Sequence, residues 1–334
     1  MNNPKLLFSD KIFIAGASGM VGSAICRALR KLQYGDQING GQILTPSRNE
    51  LNLLDSKEVG EWFSINKPDI VIIAAAKVGG IHANSFYPAD FILENLKIQN
   101  NLIENSWKFK TRRLLFLGSS CIYPKFAKQP IKEESLLSGV LEKTNYAYAI
   151  AKIAGIKLCQ SLNEQYGFDA ISIMPTNLYG PNDNYHPENS HVIASLIRKF
   201  CSAVKLSHNE VICWGSGSPM REFLHVDDLA LAAIFVLKNW FPSKNNCPMD
   251  EFGNPIYHLN VGTGKDISIK ELSEKIAFNV GFKGKIIWDK SKPDGTPKKL
   301  LDISKLRDLG WIPSIKFEDG LRNTIEDFTK NHSY

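Results

Sequence analysis

Residues 11–32 read KIFIAGASGMVGSAICRALRKL. Lys11–Gly16 is a run of buried-strand character, and Met20–Leu32 has the form of a helix. Between them Gly16, Gly19 and Gly22 stand at G-x-x-G-x-x-G spacing, at the turn from strand into helix. Glycines placed there permit a tight turn, close approach of the backbone to a pyrophosphate, and close packing of helix on strand. The N–H groups at the helix start then face the phosphates. The stretch predicts a strand–turn–helix unit that takes a dinucleotide, at a spacing other than G-x-G-x-x-G.

Working outward, the same alternation continues. Strands are expected at Gln42–Thr45, at Asp69–Ala76, apolar on both faces as parallel strands are, at Leu114–Leu117 and at Ala170–Met174. A long amphipathic helix is expected over Phe86–Trp107, and another begins after Thr144 or Asn145 and ends at Gly167. Alternating strands and helices make βαβ units, so the fold class is α/β, a doubly wound parallel sheet with a smaller α/β substrate-binding domain. Residues 1–180 are expected to form the dinucleotide-binding domain. Residues 181–334 are expected to be mainly substrate-binding and interleaved, with a strand and helix from about 215–262 returning to the first domain.

The carboxyl ends of parallel strands are where ligands bind. Ser119 and Cys121 emerge there, after Leu114–Leu117. Tyr148 and Lys152 lie four apart on one helix and share a face. A cationic lysine beside a phenol is expected to lower the tyrosine pKa toward a useful range, giving a proton donor for a carbonyl undergoing reduction. Ser119 supplies a second hydrogen bond to the same oxygen. No acidic residue ends the Gln42–Thr45 strand to bind ribose hydroxyls. Arg48 stands nearby instead and suits a 2′-phosphate, which favours NADP over NAD.

The 334 residues are 43% hydrophobic and 22% charged, an ordinary globular balance. The net charge of +6 is dispersed, and no basic stripe with interleaved aromatics points to nucleic acid. No apolar run approaches a membrane span, and no signal-peptide pattern opens the chain. The six cysteines are scattered without metal or redox spacing, so a reduced, cytoplasmic protein without a metal site is expected.

Beyond the glycine turn, the chain carries AAAKVGGI (74–81), LGSSCIYPK (117–125), YAIAKIAGIKLC (148–159), MPTNLYGP (174–181), NSHVI (189–193), PMREFLHVDD (219–228) and SKPDGTP (291–297). With these it resembles the GDP-L-fucose synthase family of the extended short-chain dehydrogenase/reductases, from about Lys11 to Leu321. The resemblance implies an NADPH-dependent 3,5-epimerase and 4-reductase acting on a GDP-linked 4-keto-6-deoxy sugar. In that pattern Tyr148 gives the proton to the C4 oxygen, Lys152 binds the nicotinamide ribose and tunes Tyr148, and Ser119 holds the C4 oxygen. Cys121 and His191 are the acid–base pair for epimerisation. Gly16, Ala17, Ser18, Gly19, Met20, Val21 and Gly22, with Arg48, line NADP(H). So do Leu117, Gly118, Ser119, Ser120, Lys152, Pro175, Thr176, Asn177, Leu178 and His191. Lys199, Trp214, Arg221 and Asp294 meet the GDP-sugar: Lys199 and Arg221 suit a diphosphate, and Trp214 offers a flat surface. Without the resemblance, His191 is not separable from His186, and His225 reads equally well as structural.

The chain departs from the family pattern at Ser18 and Lys199, where arginines are common, and in LEKTNYAYAIAK, which lacks the usual proline. A homodimer through Phe86–Trp107 and the Tyr148 helix is expected. Other readings compete: an epimerase/reductase of a related GDP-4-keto-6-deoxy sugar such as a heptose, a 4-reductase without epimerisation, a 4,6-dehydratase or 4-epimerase on the same fold, and a catalytically dead NADP-binding protein. A 4,6-dehydratase would need an acidic residue beside Ser119, where this chain has Ser120 and Cys121. A catalytically dead NADP-binding homologue would be free to lose Ser119, Tyr148 and Lys152.

Overall fold

The computed structural model describes residues 6–187, 189–242, 247–292 and 294–332. In chain order the strands are β1 (Lys11–Ala15), β2 (Gln42–Leu44), β3 (Ile70–Ile73), β4 (Arg113–Leu117), β5 (Ala170–Pro175), β6 (Asn177–Tyr179), β7 (Glu210–Trp214), β8 (Met220–His225), β9 (His258–Val261), β10 (Asp266–Ser268), β11 (Lys285–Asp289) and β12 (Lys298–Lys299). The helices are α1 (Met20–Lys31), α2 (Ser56–Asn66), α3 (Ile81–Phe86), α4 (Pro88–Lys108), α5 (Tyr146–Tyr166), α6 (Val192–Lys205), α7 (Val226–Asn239), α8 (Ile269–Val280), α9 (Ser304–Asp308) and α10 (Phe317–Asn331).

The central sheet has six parallel strands in the order β2-β1-β3-β4-β5-β9. Its inner strands β3, β4 and β5 are buried on both faces because their side chains alternate between two helical layers. Ile12, Ile14, Ile70, Ile72, Leu115 and Leu117 pack with α1 and α7 on one side. Phe13, Ala15, Val71, Ile73, Leu114 and Phe116 pack with α2, α4 and α5 on the other. The sheet reverses its winding between β1 and β3, so the crevice outside their carboxyl ends is the expected ligand site.

Over that edge lies a third core, Ile193, Leu196, Ile197 and Phe200 of α6 with Val211, Leu272, Ile276, Leu321 and Phe328. Short sheets surround it: β7 with β11, and β10-β8-β12 with β6 on β8. Because β8 pairs with β6, which leaves the end of β5, this layer is fastened directly above the mouth of the central sheet.

Several boundaries differ from the sequence reading. β3 ends at Ile73, where Asp69–Ala76 was expected to run on. Gly16 explains the stop: a Cβ there would lie 2.7 Å from Ala75 N, so 74–76 pass against the glycine turn instead of extending the strand. The expected Phe86–Trp107 helix begins at Pro88, since proline suits a first helical position and Tyr87 breaks from helical geometry. Asn145 takes the cap position of α5 but gives no side-chain capping bond, while Gly167 closes the helix with φ 68°.

Candidate active site

β4 delivers the chain into the crevice at Gly118, where no side chain fits: a Cβ would lie 2.3 Å from Met174 Sδ. Ser119 then caps the single turn Ser120–Ile122, its Oγ accepting the Cys121 N–H at 3.2 Å. Hydroxyl and thiol therefore come from one turn. On α5, Lys152 is buried and its Nζ donates to Leu117 O at 2.8 Å. The ammonium lies 4.7 Å from the Phe116 ring centroid and 5.8 Å from that of Tyr148. The sequence expectation brings these four residues together, and the structure does so.

Their electrostatics differ from the expectation that the lysine lowers the tyrosine pKa. Burial pushes Lys152 down to about 7. Burial also raises Tyr148, helped by the charge of Cys121 and opposed by the hydrogen bond with Ser119. Desolvation disfavours both charged forms. A phenol held neutral is the form that can give up a proton.

Cys121 faces a third element. Lys299 of β12 brings its Nζ within 3.6 Å of the sulfur. His191 stands at the N-cap of α6, its carbonyl accepting Ser195 N–H at 2.9 Å while its side chain makes no capping bond to the helix. Its ring is open to the cleft but walled by protein, and burial, followed by the charge of Lys299, lowers its pKa. The lowering favours the neutral imidazole, the form that can accept a proton. The structure separates the histidines that the sequence left together. His191 and Cys121 both face Lys299, whereas His225 accepts the Asp227 N–H at 3.2 Å and stacks edge-on to Tyr179 at 5.3 Å. His186 lies exposed in the loop ahead of α6.

On the far wall Trp214 ends β7, 58% exposed, with Lys199 and Lys292 ammonium groups each 5.5 Å from its ring centroid. Lys199 also donates to Ile212 O at 2.9 Å. Asp294 accepts Ser216 N at 2.7 Å and Ser216 Oγ at 2.8 Å, shaping the turn after Trp214. Arg221 is lowered mainly by burial and supported by the charges of Cys121, Asp294 and Glu142, which links this wall to the thiol. Lys299, Lys292 and Glu142 were not legible as site residues. The SKPDGTP stretch marked their neighbourhood, but nothing in the chain distinguishes Lys299 from Lys298.

The residues at the glycine turn fit a dinucleotide. Gly16 sits at φ +84°, and a Cβ on Gly22 would lie 2.1 Å from Gly16 O, so both are demanded by the protein. Gly19 is different: its φ is −77° and the nearest atom to a Cβ would be 3.5 Å away. The fold leaves that space open above an uncapped helix start with no acidic residue in its first turn. Ser18 is exposed beside it. Arg48 is exposed too, and among the described residues it makes no hydrogen bond or ion pair. The nearby Glu50 is turned back to accept Ser47 N at 2.8 Å. Thr176 Oγ1 and Asn177 Nδ2, past β5, donate to Glu222 O at 3.2 and 2.8 Å.

A strand-end glycine turn with a Ser–Tyr–Lys cluster across the sheet defines a class. Residues 12–246 match the NAD dependent epimerase/dehydratase family, and the chain belongs to that family. Within it the chain groups with the GDP-L-fucose synthases. It is 54% identical to the GDP-L-fucose synthase of Escherichia coli K12, covering 96% of this chain and 97% of that protein. It is also 54% identical to the putative GDP-L-fucose synthase 2 of Arabidopsis thaliana, covering 97% and 93%. A solved GDP-mannoheptose C4 reductase from Campylobacter jejuni with NADP bound is 36% identical, with a TM-score of 0.85, covering 97% of this chain and 99% of that one.

Proposed function

We propose that this protein converts GDP-4-keto-6-deoxy-D-mannose into GDP-L-fucose, by 3,5-epimerisation followed by NADPH-dependent reduction at C4. The observation that carries it is the convergence of Ser119, Cys121, Tyr148 and Lys152 beside the open glycine turn, with Lys299 against the thiol and its charge reaching His191. The Gly16–Gly22 turn, with Arg48 at the 2′-phosphate, would hold NADPH, whose chemistry there would be a hydride for C4. Everything else falls to the chain's own side chains. Protons alpha to the C4 ketone become removable when Ser119 and Tyr148 stabilise the enolate oxygen. Neutral His191 and the Cys121 thiol act as base and acid on the two faces at C3 and C5. Tyr148, kept protonated by burial, then gives its proton to the C4 oxygen. Lys199, Trp214, Arg221 and Asp294 receive the GDP end, where two cations beside an open indole suit a purine diphosphate.

A homodimer acting in the cytoplasm completes the reading. It is supported by six free cysteines and by apolar side chains exposed on α4 and α5, Leu93 and Ile150 among them. No described helix is long and apolar enough to cross a membrane.

The test is NADPH oxidation on adding GDP-4-keto-6-deoxy-D-mannose, with the product identified by NMR. GDP-L-fucose supports both half-reactions. An unepimerised 6-deoxy sugar removes Cys121 and His191 from the mechanism. Turnover only with a GDP-4-keto-heptose, the substrate class suggested by the Campylobacter jejuni relative, would move the reading to that sugar.

A further inference from the structure

Strand β12 is two residues long and lies parallel to β8, with Lys299 opposite Arg221. So short a ladder does not hold itself. The next residue of β8, the buried Glu222, accepts Leu301 N at 2.9 Å through one carboxylate oxygen. Through the other it accepts Thr263 N at 2.6 Å and Gly264 N at 2.7 Å, just past β9. Gly262 makes room for it, since a Cβ there would lie 2.3 Å from the carboxylate. A buried carboxylate taking three backbone N–H groups from two segments is a strong clasp. Its side chain is turned away from the cleft, but both of its strand neighbours, Arg221 and Lys299, serve it.

We infer that Glu222 is a positioning residue: by clasping the chain at Leu301 to β8 and β9, it fixes Lys299 against the Cys121 sulfur and thereby sets the reactivity of that thiol. This rests on the reading of Cys121 as an acid–base group. The charged or titratable groups around the thiol are Lys299 from β12, Arg221 from β8 and Tyr148 from α5, with Lys125, Glu142 and Lys298 lining the same cavity and His191 of α6 within reach of the Lys299 charge. Glu222 sits behind the first two.

The other five cysteines are buried, so alkylation by iodoacetamide in mildly alkaline buffer reports on Cys121. The Lys299 ammonium lies 3.6 Å from the sulfur and attracts negative charge developing there, so Lys299→Met should slow alkylation about fivefold. Glu222→Gln, which turns an amide donor toward N–H donors, should slow it by a similar factor. The double variant should be no slower than Lys299→Met alone. Loosening of the fold by itself exposes thiols and speeds alkylation, so the direction separates positioning from mere destabilisation. The inference is overturned if Glu222→Gln reacts at the parent rate or faster, or if the two slowings multiply. Should the glutamine variant not fold, Glu222→Asp, which keeps the charge but cannot span both segments, is read in the same cycle. None of this needs turnover. An inactive enzyme with the expected cycle would discard the role of Cys121 and keep that of Glu222.

Discussion

At the scale of single residues, the cleft is governed by dehydration. Tyr148→Phe removes the neutral donor and should lower kcat for NADPH oxidation about 10²–10⁴-fold while NADPH affinity, read by fluorescence titration, stays at the parent value. Lys152 allows a sharper test. Unfolded, its amine keeps its proton to near the ordinary 10.5; folded, it releases it near 7. Between those limits the unfolded chain binds more protons, so the lysine's contribution to stability rises with pH across that window and is level outside it. Lys152→Met should therefore stabilise the cofactor-free protein at pH 7 by roughly 1–3 kcal/mol, with the gain gone above the upper limit; urea unfolding at the two pH values checks it. Sequence made the Ser119, Tyr148 and Lys152 cluster legible, because strand ends and helical spacing are local facts. It could not reveal the sign of the Tyr148 shift, which depends on how much protein surrounds the ring. Nor could it place Lys299, whose partner Cys121 is 178 residues distant in the chain.

At the scale of elements, three glycines at regular spacing do unlike work. Gly22→Ala drives a methyl group into Gly16 O and should cost about 3 kcal/mol of stability along with dinucleotide binding. Gly19→Ala meets no protein atom closer than 3.5 Å, so its melting temperature should stay within a few degrees of the parent while NADPH affinity falls at least about tenfold. Calorimetry and fluorescence titration on the two variants decide between structural and ligand-facing roles. If Gly19→Ala binds NADPH normally, the open space above α1 is not where the pyrophosphate lies. The core strands were readable in sequence because each is apolar across both faces. Their ends were not, as β3 shows: its early stop is dictated by Gly16, more than fifty residues earlier.

At the scale of the molecule, α4 and α5 pack side by side on one face of the sheet and still leave Leu93 55% and Ile150 41% exposed. Introducing charge there, as Leu93→Glu with Ile150→Glu, should convert the proposed dimer to monomer in analytical ultracentrifugation. A parent protein that sediments as a monomer would sink the dimer reading. The same scale gives β12 a consequence in the order of synthesis. Ser119, Cys121 and Tyr148 leave the ribosome early, but β9, which covers the open edge of β5, is made only at 258–261, and Lys299 later still. Until then the nascent chain carries a finished dinucleotide turn, an unpaired strand edge of the kind that invites aggregation, and a thiol without its ammonium. Translation that stops a few dozen codons short leaves the glycine turn and Cys121 in the chain and Lys299 missing from it.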